Sequence, residues 1–290
     1  MVPKNTPTQP IQAESINFLV IGHVTADLTE NGVQLGGPVT FSGLTAKALG
    51  FRVGMITSHS PDFETEPIQS LWKMNKTSSC TTTFKNISDG ITRTQYLYQV
   101  AQPLIKADIP QFIPAPDIVH LAPVANELDY RILDCFPNSL KCVTPQGWMR
   151  ATDPDGKVIQ RNWMESEETL ALADAAVISL EDVHKNEDLI ASMASAIPIF
   201  VVTENMRGAR IYWHNDARFI NAPEVKYLDD TGSGDIFATA FFYRYFYTRD
   251  PWEAGRFAVL LASWSVSRKH LDSIPTSKEI NTAKLQLIGH

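Results

Sequence analysis

An α/β chain is predicted, with a mostly parallel sheet, helices on both faces and a small β sheet beside it. Three observations carry this. Along the 290 residues, short strand-like runs alternate with stretches of helical spacing. Those runs are branched and almost continuously apolar, as buried strands are. Two hairpin signals, Asn31-Gly32 and Asp89-Gly90, break the rhythm in the first third of the chain.

The elements follow in order. Residues 1–15, "MVPKNTPTQPIQAES", are polar and proline-bearing and read as a disordered arm, leaving 16–290 as the folded domain. "INFLVIG" is a buried strand ended by glycine. Residues 28–37, "LTENGVQLGG", form the first hairpin-like piece. "PVTFSGLTAKALG" has helical spacing at Val39, Leu44, Ala48 and Leu49, with Gly50 as its stop. "RVGMITS" is the next strand. Residues 81–100, rich in Thr and Tyr, form the second hairpin-like piece, and the two pieces together suggest a flap over a site. "DIVHLAP", "KCVTP", "AAVISL" and "IPIFVVT" are further strands. "NELDYRILDCF" and "DVHKNEDLIASMASA" are helical patterns between them. "TDPDGKVIQ" is a hairpin turn, because no glutamate closes it as a calcium loop.

The formal net charge of -7 disfavours nucleic acid as a partner. Cys80, Cys135 and Cys142, odd in number and without metal-type spacing, argue against a disulfide framework. With no apolar signal core and no run long enough to span a bilayer, the expectation is a cytoplasmic protein without a membrane partner.

The chemistry concentrates in residues 227–246, "YLDDTGSGDIFATAFFYRYF". Asp230-Thr-Gly by letters suggests an aspartic protease. Such an enzyme needs two carboxylates sharing a proton, and this chain offers one such triplet, followed by helical spacing at Phe237, Ala240, Phe241, Arg244 and Tyr245. A helix start fits better. Gly232 and Gly234 let backbone N–H groups converge, and the helix adds its unpaired amides and positive dipole end, which makes an oxyanion site. Asp235 beside it is badly placed as an anion ligand. It is well placed as a base, taking a proton from a hydroxyl that attacks phosphorus, with an ordinary capping role as the alternative.

"DDTGSGD" before an apolar helix resembles the signature of the ribokinase-like PfkB carbohydrate kinase family. "GHVTAD" is similar to the family's first strand end and "GGPVTFSGLTAKALG" to its paired-glycine motif. "ASWSVSRKHLDSIPT" is similar to the segment flanking its adenine pocket. The resemblance implies a ribokinase-like fold, a Rossmann-like sheet of about nine strands with a β lid, and ATP-dependent phosphoryl transfer to a hydroxyl of a sugar or cyclic polyol. It implies Asp235 as base and Gly232, Ser233 and Gly234 as anion hole. Asp27, Gly36 and Gly37 fall in the substrate pocket, and Thr203 and Gly208 near the ATP phosphates. Asp182 falls near magnesium, and Asp229 and Thr231 where some members hold a monovalent cation such as potassium.

This chain also departs from the family. Thr25 and Phe41 stand where ribokinase-like members carry asparagine, which removes amide bonds to a ribose and offers an aromatic face to a ring. Asn205 replaces a glycine, which a left-handed backbone tolerates. Around "RKHLD" a family glycine near the cation is replaced. "TPQGWMR" adds Gln146, Trp148 and Arg150 at a strand end, and with Phe41 it resembles the inositol-kinase-like branch. Arg93 and Gln95 are the polar contacts expected from the lid, whose exposed sheet also suggests a homodimer. The competing readings are a non-catalytic ligand-binding or regulatory protein on the same fold and a nucleoside kinase.

Overall fold

The structure is a computed structural model describing residues 16–30, 32–88, 93–111 and 115–288. The arm of residues 1–15 lies outside the described residues, as do the hairpin-turn residues Asn31, Asp89 and Gly90. In chain order the first elements are β1 (Phe18–Ile21), β2 (Thr25–Thr29), β3 (Gly32–Gly36), α1 (Pro38–Ala48), β4 (Val53–His59), β5 (Trp72–Thr77), β6 (Thr82–Ser88) and β7 (Arg93–Gln99). Next come β8 (Ile118–Leu121), β9 (Leu140–Val143), β10 (Arg150–Thr152), β11 (Val158–Gln160), α2 (Ser166–Leu172), β12 (Ala175–Ser179) and α3 (Glu187–Ser195). β13 (Ile199–Thr203), β14 (Gly208–Trp213), β15 (Asp216–Asn221), α4 (Ser233–Thr248), α5 (Pro251–Ser265) and α6 (Ser277–Ile288) follow.

The main sheet has nine strands in the order β15-β14-β13-β12-β9-β8-β1-β4-β5. From β13 to β5 every pairing is parallel, and β14 and β15 add antiparallel at one edge. Side chains alternate across the sheet. Phe18 and Val20 of β1 pack into one apolar cluster with α1, α4 and α5, while Leu19 and Ile21 pack into another with α2 and α3. Both faces are thus covered, which is why these strands are apolar at every position.

α1 begins with Pro38 at its first position after Gly37 and stops at Gly50, where the backbone turns left-handed (φ 101°). The pattern "NELDYRILDCF", expected as an α-helix, forms a 3₁₀ turn over Tyr130–Cys135. Asp129 caps its start and Pro137 follows at once, leaving no room for an α-helical run. α3 starts later than the pattern suggests. His184 and Lys185 adopt positive φ, and Asn186 caps the helix by accepting from the Leu189 N–H. The β14–β15 hairpin and β5 are absent from the sequence reading. His214-Asn215, both left-handed (φ 47° and 65°), make the two-residue turn of that hairpin.

The two early hairpin pieces pair into a separate four-stranded sheet, β3-β2-β6-β7. Its inner face presents Asp27 beside Phe84 and Asn86 opposite Gln95. The β10–β11 hairpin, built on the Asp153–Gly156 turn, extends it through a Tyr96–Lys157 bridge and a Leu97 N–H to Gly156 carbonyl bond of 2.9 Å. The three cysteines are free thiols. Among the described residues no helix is long and apolar enough to cross a membrane.

Candidate active site

The start of α4 lies below the inner face of the small sheet. Gly232, its N-terminal flank, is left-handed (φ 77°), and a side chain there would run into the Phe41 ring. Gly234 has nothing within 4 Å of where a β-carbon would sit, so its backbone opens into free space. Of the amides expected to form an anion hole, that of Ser233 donates to the Asp230 carbonyl at 3.0 Å.

A cavity of about 510 Å³ separates the small sheet from the carboxyl ends of the main-sheet strands. Asp27 reaches it from β2, steadied by a 2.8 Å bond from the Thr25 hydroxyl to its Oδ1. The paired glycines have separate physical reasons. A β-carbon on Gly36 would collide with the Asp27 carboxylate, and Gly37 (φ 91°) passes against the His23 carbonyl at the head of α1. Across the cavity, Arg150 donates to the Val124 carbonyl at 3.2 Å and to Gln95 Oε1 at 3.1 Å, tying the β10–β11 hairpin to the small sheet. Gln146 donates to Asp182 Oδ1 at 2.8 Å, and the Ser179 N–H donates to Oδ2 at 3.0 Å. Asp235 faces this cavity from the first turn of α4.

A second cavity of about 590 Å³ lies on the other side of the α4 start. Its walls include Met206, Val225, Tyr227, Phe237, Val259 and Ala262, and among the described residues no lysine or arginine lines it. Thr203, at the end of β13, faces both cavities together with Ser179 and Gly234, so the two spaces meet beside the glycine-rich turn. Gly208 (φ 123°) allows β14 to pass against the Ile220 carbonyl. Asn205 takes the left-handed conformation its place requires (φ 51°) and donates to Glu181 at 2.7 Å.

Residues 164–278 match the family model of the pfkB family carbohydrate kinases. That segment of the chain is similar to the pfkB family carbohydrate kinases. The match supports a phosphotransferase with an alcohol acceptor. No curated protein matches it by sequence. Its fold is similar to that of a pyrophosphate-dependent kinase of the ribokinase family solved as a sulfate complex, with TM-score 0.78 at 20% identity over 92% of this chain and 99% of that one. It is also similar to the nucleoside kinase of Methanocaldococcus jannaschii, with TM-score 0.71 at 17% identity over 95% and 99%. A third similar fold is the ribokinase of Thermotoga maritima, with TM-score 0.72 at 18% identity over 93% and 99%.

The carboxyls around the first cavity and the glycine-rich turn are electrostatically unusual. Burial pushes Asp235 up to about 7, with Arg150 pulling it down and Asp182 pushing it further up. The residue keeps an accessible edge on the cavity, yet its surroundings are dry enough for desolvation to dominate. Asp182 is also raised by burial, against the Gln146 hydrogen bond and the Arg150 charge. Asp229 is the opposite case. Burial would raise it, but bonds from Thr231 and the His270 N–H outweigh this and hold it below the ordinary carboxylate range.

Other predicted site residues sit as follows. Phe41 lines the first cavity but is only 2% exposed, its ring pressed on Gly232 and edge-on to His270, so it has little free face for a sugar ring. Trp148 offers no stacking face either. It is buried against Trp163, with its indole N–H donating to the Leu128 carbonyl. Thr231 faces the first cavity, whereas Asp229 lines neither. The side chain of Arg93 lies outside the described residues. Asn86, Phe84 and Gln160 line the first cavity and were missed, although the alternation of "TTTFKN" places Phe84 and Asn86 on one strand face.

Among the described residues no group of three or more His, Cys, Asp or Glu could hold a metal ion. A magnesium ion near Asp182 would be held through donor phosphates and water, because the Asp182 oxygens already accept from Gln146 and the Ser179 N–H. When bound, such an ion supplies charge neutralisation to the donor phosphates.

Proposed function

We propose that this chain transfers the γ-phosphoryl group of ATP, with magnesium, to a hydroxyl of a sugar or cyclic polyol. One observation carries the reading: two cavities meet beside the α4 amino terminus, and Asp235 faces only one of them. The geometry supports an acceptor in the first cavity, its hydroxyl held by Asp27 and deprotonated by Asp235 as the bond to phosphorus forms. The first-turn amides of α4, with Gly232 and Gly234, receive the charge on the transferred group. Asp27, Asn86, Gln95 and Gln160 supply polar contacts, and Phe84, Val158 and Ile159 supply an apolar wall, which suits a ring with many hydroxyls.

The donor has a second reading. The ribokinase-family neighbours include pyrophosphate-dependent kinases, one complexed with a pyrophosphate analog and myo-inositol. A largely apolar second cavity without lysine or arginine favours a nucleoside over a bare polyphosphate. Product detection with ATP or pyrophosphate against ribose, fructose, glucose and myo-inositol decides both questions. ATP with a cyclic polyol or hexose is the expected best pair. Asp27→Ala should raise the acceptor KM at least about tenfold while sparing ATP binding, because it removes hydrogen bonds to hydroxyls. Turnover with pyrophosphate alone, or an unchanged KM, contradicts the assignment. If no pair turns over, a non-catalytic ligand-binding role replaces it.

The small sheet acts in this reading as a lid, with Arg150 and Gln95 joining it to the cavity wall. Amide exchange in residues 81–88 and 93–100 should slow on saturation with acceptor. Unchanged exchange there would make the sheet a fixed wall. The same reading carries a homodimer through the outer lid face, where Val33, Ile87 and Tyr98 are exposed, and sedimentation at micromolar concentration tests it.

A further inference from the structure

The loop before α4 is closed behind the glycine-rich turn by a ring of contacts. Asp229 Oδ1 accepts from the Thr231 N–H at 3.0 Å and from the Thr231 hydroxyl at 2.6 Å. Its Oδ2 accepts from the His270 N–H at 3.0 Å. The His270 ring meets the Phe41 ring edge-on, with centroids 5.7 Å apart, and Phe41 abuts Gly232, the residue after Thr231. The N–H groups of Leu228 and Asp229 donate to the Val266 carbonyl, at 2.8 and 3.1 Å.

His270 is held in the left-handed region (φ 47°), where a glycine costs least and a histidine must be secured by its surroundings. What secures it is visible. Arg268 donates to the carbonyls of Asp272 and Ser273 and to both oxygens of Glu279. The Nε2 atom of His270 is buried and has no hydrogen-bond partner among the described residues, so its ring is placed for packing on Phe41.

The resemblance assigns this loop a monovalent cation, and the residues here do not fit one. Such an ion needs several oxygens turned toward it, whereas the Asp229 carboxylate already accepts three N–H or O–H donors from the chain and borders neither cavity. Those same donors hold the carboxyl below its ordinary range, stabilising its charge without an ion.

We infer that this chain replaces the monovalent cation by its own contacts, with His270 as the positioning residue. Its N–H fixes Asp229, and its ring, through Phe41, fixes Gly232 and the anion-binding amides. The inference rests on the kinase reading for its catalytic consequence, but its binding consequence is independent of turnover.

The test therefore has two readouts. In buffer of tetramethylammonium salts at constant ionic strength, potassium is titrated while melting temperature and kcat are followed separately. Neither should change for the wild type. His270→Gly should lower kcat roughly tenfold with little change in acceptor KM, since slight misplacement of the amides weakens only the transition state. Potassium should restore part of that loss. His270→Asn, which tolerates the left-handed backbone and retains the N–H to Asp229, should keep the melting temperature and lose kcat through the missing ring. A potassium-dependent rise in the wild-type melting temperature overturns the inference even if no acceptor is ever turned over. So does a wild-type kcat raised several-fold by potassium, or a His270→Gly variant with the kcat of the wild type. Absence of turnover beside a flat melting curve refutes the kinase reading alone.

Discussion

Asp235→Asn should fold, bind donor and lose at least about 10²-fold in kcat, the usual scale for losing a general base. Two further results separate this from a capping defect. Acceptor turnover by the wild type should rise through pH 7 and level off above it, because the base works ionised and burial holds its pKa at about 7. Arg150→Gln should move that limb to higher pH, since the guanidinium favours the charged form. The stability effect runs the other way. A carboxyl raised from 3.8 to about 7 stabilises the fold as the neutral acid below the lower value, and this is lost as pH rises through the upper one. Asp235→Asn should therefore raise the melting temperature more at pH 8 than at pH 5. Normal turnover in the variant, or an acid limb near pH 4, removes Asp235 from the role of base.

Gly232→Ala should cost as much activity by another route. The left-handed backbone alone costs about 1–2 kcal/mol with a β-carbon present. The added methyl would also enter the Phe41 ring, which is buried between Gly232 and His270 and has nowhere to go. The turn must shift and carry the helix amides with it, so kcat should fall by at least about 10²-fold and the melting temperature should drop. Phe41→Leu in the same chain should return part of both losses by making room. Gly234→Ala is the control. Nothing stands within 4 Å of its β-carbon position, so it should melt like the wild type and differ only in kinetics. Wild-type turnover in Gly232→Ala would mean that the turn is not part of the anion site.

The sequence by itself determined the local grammar of this protein. The apolar strands, the paired glycines before α1, the Gly-Ser-Gly-Asp start of α4 and the two hairpin pieces were legible, because each is decided by residues close together in the chain. A strand buried on both faces must be apolar throughout, and a left-handed turn or a crowded backbone asks for glycine. Only the tertiary structure decided what meets what. Phe41 reads as a free aromatic face beside a substrate, yet it lies against Gly232, which is nearly two hundred residues away in the chain. Gln146 reads as a substrate contact, yet its amide is bound to Asp182. His270, a plain loop histidine in the sequence, closes the ring behind the glycine-rich turn through Asp229 and Phe41. These assignments rest on burial and on hydrogen bonds between distant segments, and the sign of a pKa shift rests on the same two quantities. Asp229 and Asp235 are six positions apart and chemically identical, and the fold holds one below its ordinary range and the other well above it.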